Sequence, residues 1–444
     1  ALAIWFIECV PDDMVMIHAP TQQKLPAQLE MAHLLAHEQL QLVYGWLNCK
    51  NSADLKNTFP LAVASAERCV KALRKFTEEE TKIGNSSYHV GNLCTRVLYA
   101  PYENMYDLRK PLVGANAYLF AAYQGIITEA QLFEFLLDAD NLREAMETVT
   151  AVATTYYEKG KQISAHDSYK GIRNARKVKE FLGKEDEPNA EDMKLIEYVS
   201  HIYETVIPVV LSSELKRGDS PAIYTKGIHG IARIYGAKYF SEILFAMGND
   251  TLDRTAYYSW SVASDRKSSL SYILSVCIPA DEDSADTLSA ALAGKKITTK
   301  RLIEAALFSP EWIPIIGKYL EIDSFESACY YFMAHMNEKF DDKRKAMIAR
   351  FTPLSADELN LGAFDVNWFR STYDSIGAKE FDLIYDAAKY ISDGAKHSRA
   401  RKYADAALGK FDVDETEKTV SDKRNKDLLM AYALIPLAGE DDIC

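Results

Sequence analysis

The sequence predicts an all-α protein, and three observations carry that prediction. Gly (20) and Pro (14) are scarce among the 444 residues, which leaves too few tight turns for an all-β chain. Apolar residues recur three and four apart, bracketed by capping residues. Nowhere does a run of alternating apolar and polar residues sit between Asn-Gly or Asp-Gly turns, so little or no sheet is expected. The expected content is about twenty helices.

The elements follow in order. Leu25–Leu47 places apolar residues at Leu25, Leu29, Ala32, Ala36, Leu40, Val43 and Leu47, one helical stripe. Thr128 with Gln131 forms a capping box ahead of a helix over Leu132–Leu137. Gly183–Asn189 is an acidic loop before a helix expected over Ala190–Val206. Pro279–Asp286 is a second acidic loop, and Gly294–Thr299 leads into a helix over Arg301–Phe308. Ser309, Pro310 and Glu311 supply an N-cap, a first-position proline and an acidic first turn. Ser355 with Glu358 is a second capping box, and Gly394 and Gly409 fall where helices end.

One pattern occurs twice. Gly236-Ala237-Lys238-Tyr239-Phe240 continues to Ile243 and Ala246, and Gly377-Ala378-Lys379-Glu380-Phe381 continues to Ile384 and Ala387. This reads as a helix–turn–helix corner in which Gly makes the turn and Phe, Ile and Ala form the inward stripe of the next helix. Leu119–Leu137, with Gly125, Phe133 and Leu136, is a looser third copy. Repeated hairpins stacked side by side give an irregular HEAT-like α-solenoid; the alternative is a set of compact multi-helix bundles. Residues 1–185 form a first helical segment and 186–444 a second, both expected to belong to one array cut from a longer protein.

Composition bounds the function. With 48% hydrophobic and 26% charged residues the chain is globular. A net charge of −13 repels nucleic acid and anionic membranes, so neither is an expected partner. No apolar run reaches the roughly 18–20 residues of a membrane span. Ala1–Val10 is apolar but short and lacks a basic flank. The seven Cys are odd in number and never paired as CxxC, so free thiols in a reducing cytoplasm are expected. The chain starts without Met inside an apolar run and stops abruptly, as a cut segment would.

Several stretches of the second half are distinctive: Ser213–Asp219 (SELKRGD), Glu304–Trp312 (EAALFSPEW), Tyr331–Glu338 (YFMAHMNE) and Asp386–Ala406 (DAAKYISDGAKHSRARKYADA). They resemble the large bacterial proteins that carry the uncharacterised MolR-like domain, a family named for a proposed link to regulation of molybdate metabolism. Some of those proteins also carry a WGR module. The resemblance implies a long multi-segment protein, and it brings no established activity or catalytic residue to any position here.

The chemistry-bearing motifs are few. There is no GxxxxGK[ST], GxGxxG, HExxH or GxSxG. Ser264–Lys267 fits SxxK without its partner motifs, and Asp281, Asp283 and Asp286 lack the glycine and terminal Glu of a calcium loop. Glu30, His33 and His37, at i, i+3 and i+7, share one helical face and can hold zinc with one open position. The bland alternative is two His flanking an ordinary apolar stripe. No second Glu-x-x-His completes a di-iron site, because Glu197 and His201 are four apart. Lys396, His397, Arg399, Arg401 and Lys402 form a basic cluster after Gly394, with Tyr390 and Tyr403 as stacking surfaces. If Gly394 starts a helix, free backbone N–H groups join the cluster in holding a phosphate or acidic partner; otherwise it pairs with Asp393 and Asp405 as a solvated face. His335 and Asn337 lie in an apolar run and read as a hydrogen-bonded core. The 26 Tyr, with pairs at 156–157, 257–258 and 330–331, suit protein interfaces.

These features predict a non-enzymatic helical scaffold without cofactor, binding a protein partner or the remaining domains of its own chain. Two alternatives stand beside it: a regulatory module that holds nucleic acid or a phosphorylated ligand on the basic cluster, and part of an enzyme completed by missing domains.

Overall fold

The structure, a computed structural model, describes residues 55–57, 59–60, 63–64, 113–139, 141–158, 169–253, 265–336, 342–391, 394–423 and 425–436. The helix expected over Leu25–Leu47 lies outside the described residues. The rest is all-α, with two-residue strands as the single exception among the described residues. The chain divides into two compact units, one of Ala1–Leu211 with Lys226–Ala232, the other of Ser212–Thr225 with Arg233–Cys444.

The first unit contains α1 (Ala115–Tyr123), α2 (Glu129–Leu136), α3 (Leu142–Tyr157), α4 (Tyr169–Leu182) and most of α5 (Ala190–Leu215). The Thr128 capping box forms: Thr128 Oγ1 accepts from Gln131 N at 3.3 Å and Gln131 Oε1 from Thr128 N at 3.0 Å. Helix α3 packs on α1, α2 and α4 and is buried almost all round, Thr148, Thr150, Thr154 and Thr155 included. Such hydroxyls need internal acceptors; Thr150 and Thr154 each donate to a carbonyl four residues back at 2.6 Å. Thr150 Oγ1 also accepts from Ala232 N at 2.8 Å, pinning the 226–232 segment to α3. A Cβ on Gly230 would stand 2.3 Å from the Arg143 carbonyl, so only glycine admits this approach. Helix α5 does not end at Val206 but runs through Pro208 to Leu215. Burial of Val206, Ile207, Val210 and Leu211 outweighs the backbone bond the proline removes.

The second unit holds α6 (Ala237–Met247), α7 (Arg266–Val276), α8 (Ala285–Leu292), α9 (Thr299–Phe308), α10 (Ile313–Leu320), α11 (Phe325–Met336), α12 (Asp342–Ile348), α13 (Ala356–Leu361), α14 (Val366–Ile376), α15 (Ala378–Ala388), α16 (Gly394–Ala407), α17 (Val413–Lys423) and α18 (Lys426–Ala433). Its centre is α11, which packs against α9, α10, α12, α13, α14, α15 and α16. Every residue from Ala328 to Met336 is buried. Tyr331 meets five aromatic rings, those of Phe332, Phe364, Trp368, Phe369 and Phe381. The short strands Ile234–Tyr235 and Cys277–Ile278 pair in parallel. Strands this short leave a carbonyl unmet, and the Cys277 oxygen is taken by Ser309 Oγ at 3.0 Å and Trp312 Nε1 at 2.9 Å. Ser309 therefore does not cap the turn behind it as its position predicts; its hydroxyl goes to Cys277 instead.

Both copies of the repeated pattern begin a helix. Gly236 (φ 108°) precedes α6 and Gly377 (φ 83°) precedes α15, backbone conformations that exclude a side chain. Phe240 and Ile243 are buried in one copy, Phe381 and Ile384 in the other. The surroundings differ: Gly377 follows helix α14, but Gly236 follows strand Ile234–Tyr235, so the first copy is a strand-to-helix corner. Ser355 and Glu358 form the second capping box, before α13. Gly394 opens α16 rather than closing a helix, and Gly409 follows its end at φ 69°.

Candidate functional site

The basic cluster lies on α16, and its cations turn inward. Helix α13 ends beside it, leaving carbonyls that lack helical partners. Arg399 Nη2 donates to the Asn360 carbonyl at 2.6 Å and reaches the last turn of α11 at His335 O, 3.4 Å away. Lys396 Nζ donates to Asn360 Oδ1 at 3.0 Å, and Lys426 Nζ to Leu361 O at 3.3 Å. Cations so placed also complement the negative ends of the helix dipoles. His397 stacks on Tyr385, ring centroids 4.0 Å apart, with Nε2 2.8 Å from the Tyr385 carbonyl. Arg401 pairs with Asp405 at 2.9 Å and with Asp382, its guanidinium 5.2 Å over the Tyr385 ring. Lys402 is half-buried. The Tyr403 hydroxyl donates to Asp427 Oδ1 at 3.3 Å, and burial first, then this carboxylate, push its pKa up to about 12.

The same device recurs at the end of α6. Arg266 donates to Ala246 O, and to Arg217 O at 3.1 Å. Arg301 Nη2 donates to Gly248 O at 3.1 Å and Asp250 O at 2.6 Å. At the other end of α6 Gly236 has no side chain to cap with, and Asp283 serves from the acidic loop. Its Oδ2 accepts from Ala237 N at 3.0 Å and Ala280 N at 2.8 Å. One aspartate of the calcium-like spacing is thus a helix cap supplied from 46 residues away.

A third polar group is buried. Glu214 accepts from Thr225 Oγ1 at 2.7 Å and from Ser269 Oγ, and lies 2.7 Å from Arg217 Nε. The Arg217 guanidinium is buried, and none of its nitrogens makes a well-directed hydrogen bond among the described residues. Asp265, within the SxxK spacing, is the N-cap of α7: its side chain accepts from Ser268 N at 2.9 Å and from the Ser268 hydroxyl at 2.6 Å, bonds that hold its pKa below the usual range.

His335 is buried beside Tyr331 (centroids 4.7 Å) and Phe364 (5.7 Å). This is the buried core His that the sequence suggests; neither ring nitrogen makes a well-directed hydrogen bond among the described residues, and the imidazole's polar contact is with the Leu359 backbone. Burial first, and then the positive charge of Arg399, lower its pKa to about 3. Asn337 lies outside the described residues, as do Glu30, His33 and His37. Among the described residues no three His, Cys, Asp or Glu side chains gather as metal ligands, and no helix is long and apolar enough to cross a membrane.

Fold and sites together define an all-α protein whose clustered polar groups join helix ends. A family model matches residues 14–444, described as a family of unknown function, DUF5724. The chain belongs to that family. This match overturns the MolR-like resemblance. Two of the stretches that carried it hold structural residues here, the buried Glu214–Arg217 pair and the Arg399 tie between helix ends. No curated protein matches the chain, and no solved structure matches it.

Proposed function

We propose that this chain is a non-enzymatic helical scaffold that binds other proteins or the remainder of its own chain. The observation that carries this reading is the set of large apolar side chains left in water. In the second unit Leu361 is 70% exposed, Ile223 69% and Phe245 58%. Isolated exposed apolar residues are ordinary. Here, however, Leu361 sits beside the inward-turned cations, with Lys426 on its carbonyl and the half-exposed Leu429 one turn along α18. A cation flanked by leucines suits a partner with an apolar and acidic face. In this reading the helices form an irregular HEAT-like array acting in the cytoplasm, with the Gly377 corner as one of its hairpin turns.

The test is affinity capture from cells of the source organism with the whole chain as bait, with and without nuclease, beside the Leu361→Glu and Phe245→Glu variants. Both residues are exposed, so the variants should fold. A stoichiometric protein partner that resists nuclease and is lost with a variant is expected. Recovery of nucleic acid alone, or of no partner, would overturn the reading.

A further inference from the structure

We infer that the first unit carries a docking strip for a lysine- or arginine-rich peptide segment of a protein partner. The inference rests on the scaffold reading and adds the chemistry of the partner. The strip runs along α5, which exposes Glu197, His201 and Glu204. At i, i+4 and i+7 these share one helical face.

Aromatic rings close both ends of this face. At one end Tyr123, 42% exposed, lies against Tyr198 with ring centroids 5.5 Å apart. The Glu129 carboxylate is near enough to raise the Tyr198 pKa, after burial, which is the larger cause. At the other end the Tyr157 hydroxyl donates to Glu204 Oε1 at 3.0 Å. Tyr157 stands edge-on to Tyr156, which is 37% exposed, at 5.6 Å, and to Tyr203 at 5.8 Å. Burial and Glu204 push the Tyr157 pKa up to about 12, so its ring stays neutral. Tyr198 and Glu204 are six residues apart on α5, about 9 Å of axial rise.

Charge complementarity selects the occupant. Exposed tyrosine faces attract cations, and the carboxylates of Glu129, Glu197 and Glu204 add to that attraction. The cation on this stretch of α5, Lys194, already faces Glu191 at 3.9 Å. A phosphate backbone or anionic lipid would meet three carboxylates of like sign, and a purely apolar partner would have to strip their water. A second copy of this chain carries the same charge of −13. In an extended peptide, cations two or three residues apart stand roughly 7–10 Å apart, which matches the roughly 10 Å of axial rise between Glu197 and Glu204.

The test is a fluorescence-anisotropy titration of the whole chain with three labelled peptides: one rich in Lys and Arg, the same sequence with Glu at the cationic positions, and a neutral Gly-Ser peptide. Tyr123→Ala with Tyr156→Ala removes aromatic faces and leaves the charge unchanged. Glu197→Gln with Glu204→Gln removes two carboxylates. Asp186→Asn with Glu187→Asn removes the same charge from an exposed loop outside the strip. The basic peptide alone should bind, about tenfold more weakly to each strip variant and within about twofold to the loop variant. No binding of the basic peptide, unchanged binding to the tyrosine variant, or equal weakening by the loop variant would overturn the inference. A captured partner that is insensitive to both strip variants would remove the strip and leave the scaffold reading standing.

Discussion

Acidification should destabilise the second unit through one buried side chain, His335. An imidazole in the unfolded chain takes up a proton below its ordinary pKa of 6.5, whereas in the folded protein His335 stays neutral until about pH 3. Between those values the unfolded state binds more protons, so stability falls as pH falls; above 6.5 the residue contributes no slope. By about pH 4 the gap spans roughly 2.5 units, which at about 1.4 kcal/mol per unit is a loss of about 3 kcal/mol. His335→Phe removes the titrating group and keeps a ring against Tyr331 and Phe364. At neutral pH this change should cost about 1 kcal/mol or less, because the polar contact it gives up is a poorly directed one with the Leu359 backbone. Urea unfolding of both proteins across the pH range is the assay. Their difference in stability should be flat near neutrality and move by about 3 kcal/mol in favour of the variant by about pH 4. Parallel curves would refute the reasoning, as would an NMR titration of the imidazole near its ordinary pKa.

Three further predictions concern ties elsewhere. Arg217→Met alone leaves Glu214 charged and buried and should cost about 3–5 kcal/mol, whereas Glu214→Gln with Arg217→Met should cost less than the sum of the two single changes. An additive double-mutant cycle in urea unfolding would show that the pair does not act as a unit. Gly236→Ala and Gly377→Ala should each cost about 1–3 kcal/mol, since neither backbone conformation accommodates a side chain; thermal melts indistinguishable from the parent would contradict the helix-start geometry. Arg399→Met should cost about 1–3 kcal/mol by stranding carbonyls at the ends of α11 and α13. Arg399→Lys should recover only part of that loss, because one ammonium reaches fewer acceptors than the guanidinium fork.

The helix class was legible because its signals are local. Low Gly and Pro, the two capping boxes and the Phe–Ile stripe all act within a few residues, and each appears in the structure. What escaped was settled at a distance. Nothing near Asp283 shows that it will cap α6, although a helix opening on Gly236 must take its cap from elsewhere. The helix expected over Ala190–Val206 continues past Pro208, and only the burial of the residues beyond it explains why. Ser309 carries every local sign of an N-cap and spends its hydroxyl on Cys277, 32 residues back. For the basic cluster, residue type and spacing identified cations on one helix; their direction depends on where α11 and α13 end. The tyrosine strip was visible only as an abundance of Tyr, since the partners of Tyr123 and Tyr157 lie on another helix.

The tie made by Arg399 bears on how the second unit comes apart. It joins helix ends 39 and 64 residues upstream, and Lys426 reaches back 65 residues to the same place. Fraying of α16 or α18 therefore also costs a more central helix its closing contact. Amide protons of α11, α13 and α16 should exchange with solvent at one common rate, as a single cooperative opening rather than a graded peeling. A protease that nicks the chain ahead of α16 would then release that whole block together.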